Sequence, residues 1–516
     1  MLAKLQEGAK TNPWLVALAV SIATFMEVLD TTITNVSIRH IGGSLAASTD
    51  ESTWVLTSYL VANGIILPLS GWLSDVMGRK RFFLTCIAGF TAASFACGAA
   101  DSLPMLIIFR LIQGAAGGGL QPTQQAIILD SFPPSKRGQV FAITGITMIA
   151  APILGPTLGG LITDNMSWRW VFYINVPVGI LAFFLVNRMV VDPPHAERQR
   201  GRIDFLGLGL IAIGLGALQI LLDKGQQDDW LQSHFIVTMF VLTVGCIGAA
   251  VWWLLKQENP MVDLRLLKDR GFATSCVLIF LTGFALYGGS TLLPLMLQSV
   301  FGYDATLAGM VLSPSGFVIM ALMPVSAKLI GRVQAKWLVA AGMLMGAFGM
   351  LHSTWITPDV DYNHFLMIRL FQVVGLPFLF VPISTLAFRN IPPNKSNKAS
   401  ALFSLSRNIG GSVGIAVAIT EITRAAQVHQ NILVGQLVAS HPVYQQALAQ
   451  ADRIAGPGRG MAYLYQQLQN QANFLSYLDG FALMAFLMLL GAITAIFLLP
   501  KNNPRAMPAA AAAAAH

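Results

Sequence analysis

The sequence predicts an all-α polytopic membrane protein of fourteen transmembrane helices, built as two six-helix halves with a two-helix hairpin inserted between them. Composition is the first reason: of 516 residues, 55% are hydrophobic and only 11% are charged, against roughly 25% charged in soluble domains. Spacing is the second. Apolar runs of about 18 to 28 residues, the length a helix needs to cross a bilayer, lie at 14–38, 53–74, 82–99, 104–129, 140–163, 168–189, 204–222, 233–255, 271–298, 306–328, 337–355, 364–388, 399–422 and 477–499. Third is an internal repeat: Arg110-Leu-Ile-Gln113 followed by Pro133-Pro134-Ser135-Lys136 returns as Arg369-Leu-Phe-Gln372 followed by Pro392-Pro393-Asn394-Lys395, at an offset of 259 residues. Gly78-Arg79 returns as Gly331-Arg332. A six-helix half needs about 190 residues, so the excess in the offset houses two further helices at 204–255. Parallel six-helix repeats are a transporter plan, with the substrate site between them near the midplane.

Charge sets the orientation. Placing the N-terminus in the cytoplasm puts about 23 of the 32 Lys and Arg in cytoplasmic segments and about 6 outside, with Arg110, Arg369 and Arg407 inside spans. The net charge of +8 is therefore topological, and a nucleic-acid partner is not expected. The first apolar run is too long for a signal peptide and lacks a small-residue cleavage site, so it is read as a retained span. Cys86, Cys97, Cys246 and Cys276 all fall within spans, without metal-ligand spacing, and read as packing residues; no metal or cofactor is expected. No Gly-Lys dipeptide occurs, hence no P-loop, and ATP-driven transport is set aside.

The implied organisation is a first half over 1–190, a cytoplasmic linker at 191–203, the hairpin at 204–255 and the first five helices of the second half at 256–423. A segment outside the cytoplasm follows at 424–476, then the last helix at 477–500 and a cytoplasmic tail at 501–516 that ends in an alanine run.

In the first span two acids, Glu27 and Asp30, sit three residues apart in an apolar stretch, where a charge is costly and marks an ion or substrate path. A helical wheel gathers Thr24, Glu27, Asp30, Thr31 and Thr34 on one stripe, with Ile22, Phe25, Leu29, Ile33 and Val36 opposite, read as the lipid face. Like charges one turn apart in a low dielectric resist joint ionisation, so one of them is suited to taking up and releasing a proton. Which one is left open by the residues alone.

Between spans two and three, Gly71-Trp-Leu-Ser-Asp75-Val-Met-Gly78-Arg79-Lys80-Arg81 places a carboxylate beside a basic cluster, where Asp75 can meet backbone amides and Arg79 to latch that end. Span four carries Arg110, Gln113, Gly117, Gln121 and Gln124 on one face, and a guanidinium this deep needs a partner such as Glu27 or Asp30. Arg369 and Arg407, with no acid in mid-span nearby in sequence, read as structural. In span five, Gly155-Pro156-Thr-Leu-Gly159-Gly160 makes a small-residue ridge for close packing, with Pro152 and Pro156 as bends. The expected cavity wall comprises Glu27, Thr31, Thr34, Gln113, Gln121 and Tyr287, with Phe25, Met26, Trp54, Tyr59 and Met296 as further aromatic and methionine candidates.

These motifs, in this order and in these spans, resemble the major facilitator superfamily, and within it the fourteen-span drug:proton antiporters of the EmrB/QacA type. The loop motif Gly71 to Arg81, Arg110 to Gly114, Gly155 to Gly160, and Leu29-Asp30-Thr-Thr-Ile-Thr-Asn35-Val carry the likeness. It implies the major facilitator fold, a proton-coupling role for Arg110 with Asp30 or Glu27, an exporter rather than an importer, and amphipathic compounds and protons as cargo. It also implies a bacterial inner membrane, and a periplasmic adaptor with an outer-membrane channel docking on 424–476. A nutrient importer would share the core helices, but the acid pair, the span-five pattern and the hairpin count against it. A non-transporting scaffold would not require three Arg and two acids in spans.

Overall fold

The computed structural model describes residues 12–133, 136–191, 204–330, 332–437 and 442–499, and among them the regular structure is entirely helical. The linker over 192–203, the tail from 500, Pro134, Ser135, Gly331 and His441 lie outside the described residues, as do the side chains of Pro152 and Pro156.

The first half comprises α1 (Pro13–Ser44), α2 (Thr49–Met77), α3 (Arg79–Gly98), α4 (Leu103–Gly117) with α5 (Leu120–Ser131), α6 (Arg137–Asn165), and α7 (Trp170–Tyr173) with α8 (Asn175–Met189). The hairpin is α9 (Phe205–Lys224) and α10 (His234–Lys256). The second half runs α11 (Arg270–Ser299), α12 (Ala305–Leu312) with α13 (Pro314–Ile330), α14 (Ala335–His352), α15 (Tyr362–Val373) with α16 (Pro377–Ala387), α17 (Ser396–Gln436), α18 (Pro442–Ala455) and α19 (Gly460–Leu498). Thirteen segments among the described residues are long and apolar enough to cross a membrane. The fourteenth is α6, whose 29 residues rise about 43 Å at 1.5 Å each.

Several expected single spans are two helices end to end. The fourth breaks at Gly118 and Gly119, and its repeat counterpart breaks between Val373 and Pro377, so the duplication extends to the discontinuity. The halves pack alike: α1 pairs with α6 as α11 does with α17, and α3 lies against α4 and α8 as α14 lies against α15 and α19. They meet through α2 on α17 and α12–α13 on α6, two contacts related by the same internal symmetry. The hairpin leans on α2 through α9, while α10 is peripheral, burying 17% of its apolar window against 72% for α1.

That figure for α1 corrects one expectation. Leu29 and Ile33, read as lipid-facing, are buried at 7% and 0% exposure, because α6 covers them: a Cβ on Gly159 would stand 3.1 Å from the Ile33 carbonyl oxygen. The small-residue ridge of α6 thus turns the apolar face of α1 inward. The segment from Arg424 to Ser476, expected outside the cytoplasm as helical stretches with breaks, takes in the end of α17, α18 and the start of α19. At about 1.5 Å per residue, α17 (41 residues) and α19 (39 residues) both outrun a roughly 30 Å hydrocarbon core. They pair through His429 and Asp479 at 2.7 Å, with α18 laid against α19 by the Asp452 carboxylate on the Gly460 N–H. α18 and α19 are separated at Gly456-Pro457-Gly458, where both glycines take positive φ.

Candidate functional site

The two acids of α1 point into different surroundings. Asp30, fully buried, receives the Arg110 Nη1–H at 2.6 Å, the Gln113 amide at 3.0 Å and the Asn175 amide at 2.7 Å. Arg110, also fully buried, further donates to Gln113 Oε1 at 2.8 Å and to the Val55 carbonyl at 3.0 Å, and its guanidinium lies 4.2 Å from the Tyr59 ring centroid. Asn175 is held by Ser94, and Gln113 receives the Cys97 thiol. Five helices of the first half thus close over one ion pair. Such a cluster, with neither charge exposed and most lone pairs matched, is held by its own donors and acceptors.

Glu27, one turn earlier, has no direct cation among the described residues. Its Oε1 accepts from the Tyr59 hydroxyl at 3.3 Å and the Asn63 amide at 3.2 Å, and its Oε2 accepts from the Gln121 amide at 2.6 Å. Gln121 in turn accepts from the Arg407 guanidinium on α17, and Asn63 accepts from Asn408 at 3.2 Å. Both routes lead from Glu27 into the second half. Gln121 and Arg407 line a small central cavity with Tyr287, Phe380, Leu286 and Leu376.

Some expected wall residues are elsewhere. Thr31 and Thr34 donate to carbonyls of their own helix, Thr34 to Asp30 O at 2.7 Å, and Gln113 belongs to the sealed Asp30 cluster. Helical threonines often satisfy themselves this way, so an even polar stripe on a wheel overstates the wet face. Met26 and Met296 are core, and Trp54 packs near Lys224 at 5.5 Å. Phe25 is half-buried, and Tyr59 touches Glu27. Arg407, read as structural, instead faces the cavity. Asn63, Asn175 and Asn408 were missed, although a mid-span amide is the signal that marks them.

Both ends of the cavity are shut. At the basic end Asp75 pairs not with Arg79 or backbone amides but with Asn397 of the second half. Arg79 pairs with Asp130 and donates to Ser396 at 3.0 Å, and Arg137 reaches the Phe388 carbonyl at 3.0 Å. Gly71 lets α2 meet α17 at this seam, since a Cβ there would stand 3.0 Å from Asn397 O. Gly78 turns the chain at φ 87°, a region costly for other residues. Lys80 donates to Asn187 O at 2.6 Å, while Arg81 is exposed. At the far end Thr157 bonds Ser313 at 2.6 Å and Thr306 donates to Asp164 at 2.8 Å. Here the ridge of α6 works on two sides: Gly155 abuts Thr32 and Gly159 abuts Ile33 on α1, whereas a Cβ on Gly160 would stand 3.1 Å from Thr306 of α12.

Comparison with known proteins agrees with this architecture. The family model described as Major Facilitator Superfamily matches residues 20–415. The multidrug export protein EmrB of Escherichia coli (strain K12) is 37% identical over 495 residues, covering 94% of this chain and 95% of that protein. EmrB of Haemophilus influenzae is 36% identical over 483 residues, covering 92% and 94%. In fold, the crystal structure of the human organic anion transporter MFSD10 matches with a TM-score of 0.57 at 14% identity, covering 93% of this chain and all of that one. A duplicated bundle of membrane-spanning helices closed over a central cavity, matched along nearly its whole length, makes this chain a multi-pass transporter of the Major Facilitator Superfamily, akin to the EmrB proteins.

Proposed function

We propose that this protein is a proton-coupled antiporter that exports amphipathic or hydrophobic toxic compounds by alternating access. The observation that carries this reading is Glu27. It is the one central acid whose contacts lead, through Gln121 and Asn63, to Arg407 and Asn408 of the other half. A carboxylate whose direct partners are neutral donors can exchange a proton without breaking a direct ion pair, and doing so alters the bonds that join the halves. Asp30 and Arg110 position α1, α4 and α8 around it. The substrate occupies the cavity lined by Tyr287, Phe380 and Arg407, where it competes with the proton through Gln121 and Glu27.

The seams at both ends are the two gates, and with both engaged the chain is in an occluded state. In this reading the end bearing Arg79, Lys136 and Lys395 is cytoplasmic, because the Lys and Arg of the sequence concentrate in the segments on that side, and both termini lie in the cytoplasm of a bacterial inner membrane. The helical layer of α17, α18 and α19, with Val443, Ile454 and Met461 exposed, is then periplasmic and serves as the docking surface for an adaptor of a tripartite efflux system.

Purified protein in proteoliposomes, given a substrate gradient, tests the assignment by proton flux. Glu27→Gln, fixed like the protonated form, is expected to abolish coupled flux and to weaken substrate binding, and Asp30→Asn to lose folded protein. Coupled transport by Glu27→Gln at the wild-type rate would reject Glu27 as the proton site.

A further inference from the structure

The internal repeat sets Arg369 of α15 in the place Arg110 holds in α4, with the same neighbour three residues on. Arg110 donates to Gln113 at 2.8 Å and Arg369 to Gln372 at 3.2 Å. What differs is the counter-charge. Arg110 meets Asp30, whereas the group reached by Arg369 Nη2 on α11 is the Ser290 hydroxyl at 3.3 Å. No acid occurs in α11, α14, α15 or α16 at all, and Asp479 of α19 is engaged by His429. Arg369 is nevertheless 2% exposed, and its Nε has no hydrogen-bond partner among the described residues. A small cavity opens on it, lined by Ser290, Gln372, Leu286, Met350 and Leu376. Leu286 and Leu376 also line the central cavity, so the two cavities are neighbours that share those side chains.

A buried guanidinium with only neutral partners is costly by several kcal/mol. A water could satisfy Nε, but it would leave the charge uncompensated. We infer that the cavity beside Arg369 is a monovalent-anion site, in which a halide ion or the carboxylate of a cavity-bound compound takes the place that Asp30 fills in the first half. Ser290 Oγ supplies a neighbouring donor, Gln372 fixes the guanidinium with its oxygen while its amide donates to Ser353 at 2.9 Å, and the apolar rim of Leu286, Met350 and Leu376 keeps water from screening the pair. This site stands apart from the proton site at Glu27 and does not depend on the direction of transport.

The test is thermal unfolding of the full-length protein in nanodiscs at constant ionic strength, with potassium gluconate replaced stepwise by chloride, by bromide, or by octanoate. Saturable stabilisation of wild type by a few degrees, lost in Arg369→Gln, is expected. Response to the halides assigns a free inorganic anion, and response to octanoate alone assigns a substrate carboxylate at the same site. Ser290→Asp guards against misfolding of the first variant: it builds the missing acid in, so it should melt in gluconate as wild type melts with the anion bound, and should ignore added anion. Absence of any anion-dependent shift in wild type, or an undiminished shift in Ser290→Asp, overturns the inference.

Discussion

Glu27 and Arg407, from opposite halves of the molecule, share the side chain of Gln121: its nitrogen donates to the acid and its oxygen accepts from the guanidinium. Opening either end of the cavity separates the halves and must break or stretch this bridge. Gln121→Leu removes both bonds while keeping bulk. Each is a charge-assisted hydrogen bond of about 1.5–3 kcal/mol, so if even one of them is needed for turnover the loss is at least about tenfold. Substrate efflux from proteoliposomes measures it, and a wild-type rate would detach the bridge from the transport cycle.

Proton competition at Glu27 has a definite sign. If substrate binds the form with Glu27 ionised and Gln121 free to turn, protonation opposes binding, so affinity falls as pH falls, approaching about tenfold per unit for one-for-one exchange. Glu27→Gln should flatten this profile. Equilibrium binding of a fluorescent substrate across pH reads it directly.

Asp30 should behave as a stability residue. Asp30→Asn leaves Arg110 buried without a counter-charge, a loss of about 3–5 kcal/mol. The double variant Asp30→Leu with Arg110→Met removes both charges and should recover much of the unfolding midpoint lost in the single one. Equal destabilisation of single and double variants would contradict this account of the cluster.

The two seams should open independently. Asn397→Asp puts a second carboxylate against Asp75 and weakens the basic end, while Gly160→Val drives a side chain into Thr306 and weakens the far end. Thiol labelling of single cysteines placed on α17 near Ser400 and on α12 near Gly309 is expected to rise at the disturbed end only.

At the turn of the loop motif, φ is 87° at Gly78. Gly78→Ala forces a Cβ into that conformation, which costs about 1–3 kcal/mol, and should lower the unfolding midpoint and raise labelling at the basic end. No change in either would remove the glycine requirement.

Much of this was written in one dimension. Hydrocarbon thickness sets the length of a spanning helix, so fourteen apolar runs and their count could be read by eye, and the repeat of Arg110-Gln113 as Arg369-Gln372 announced the two halves. The acid pair was likewise legible, since a carboxylate in an apolar run is conspicuous wherever it points. Partnership was not. Asp30 and Glu27 lie on one stripe of α1, yet three-dimensional packing gives the first a guanidinium and the second three neutral donors, a difference set by residues up to 145 positions away such as Asn175. Leu29 and Ile33 looked like lipid contacts because a wheel shows which residues share a face, not what covers that face; α6 covers it through Gly155 and Gly159. Arg407 looked structural for want of a nearby acid in sequence, and only the meeting of α5 with α17 brings it to Gln121 and, through Gln121, to Glu27. Local hydropathy therefore determined the elements and the presence of buried charge, and the packing of the halves decided which charge is sealed and which stands between them.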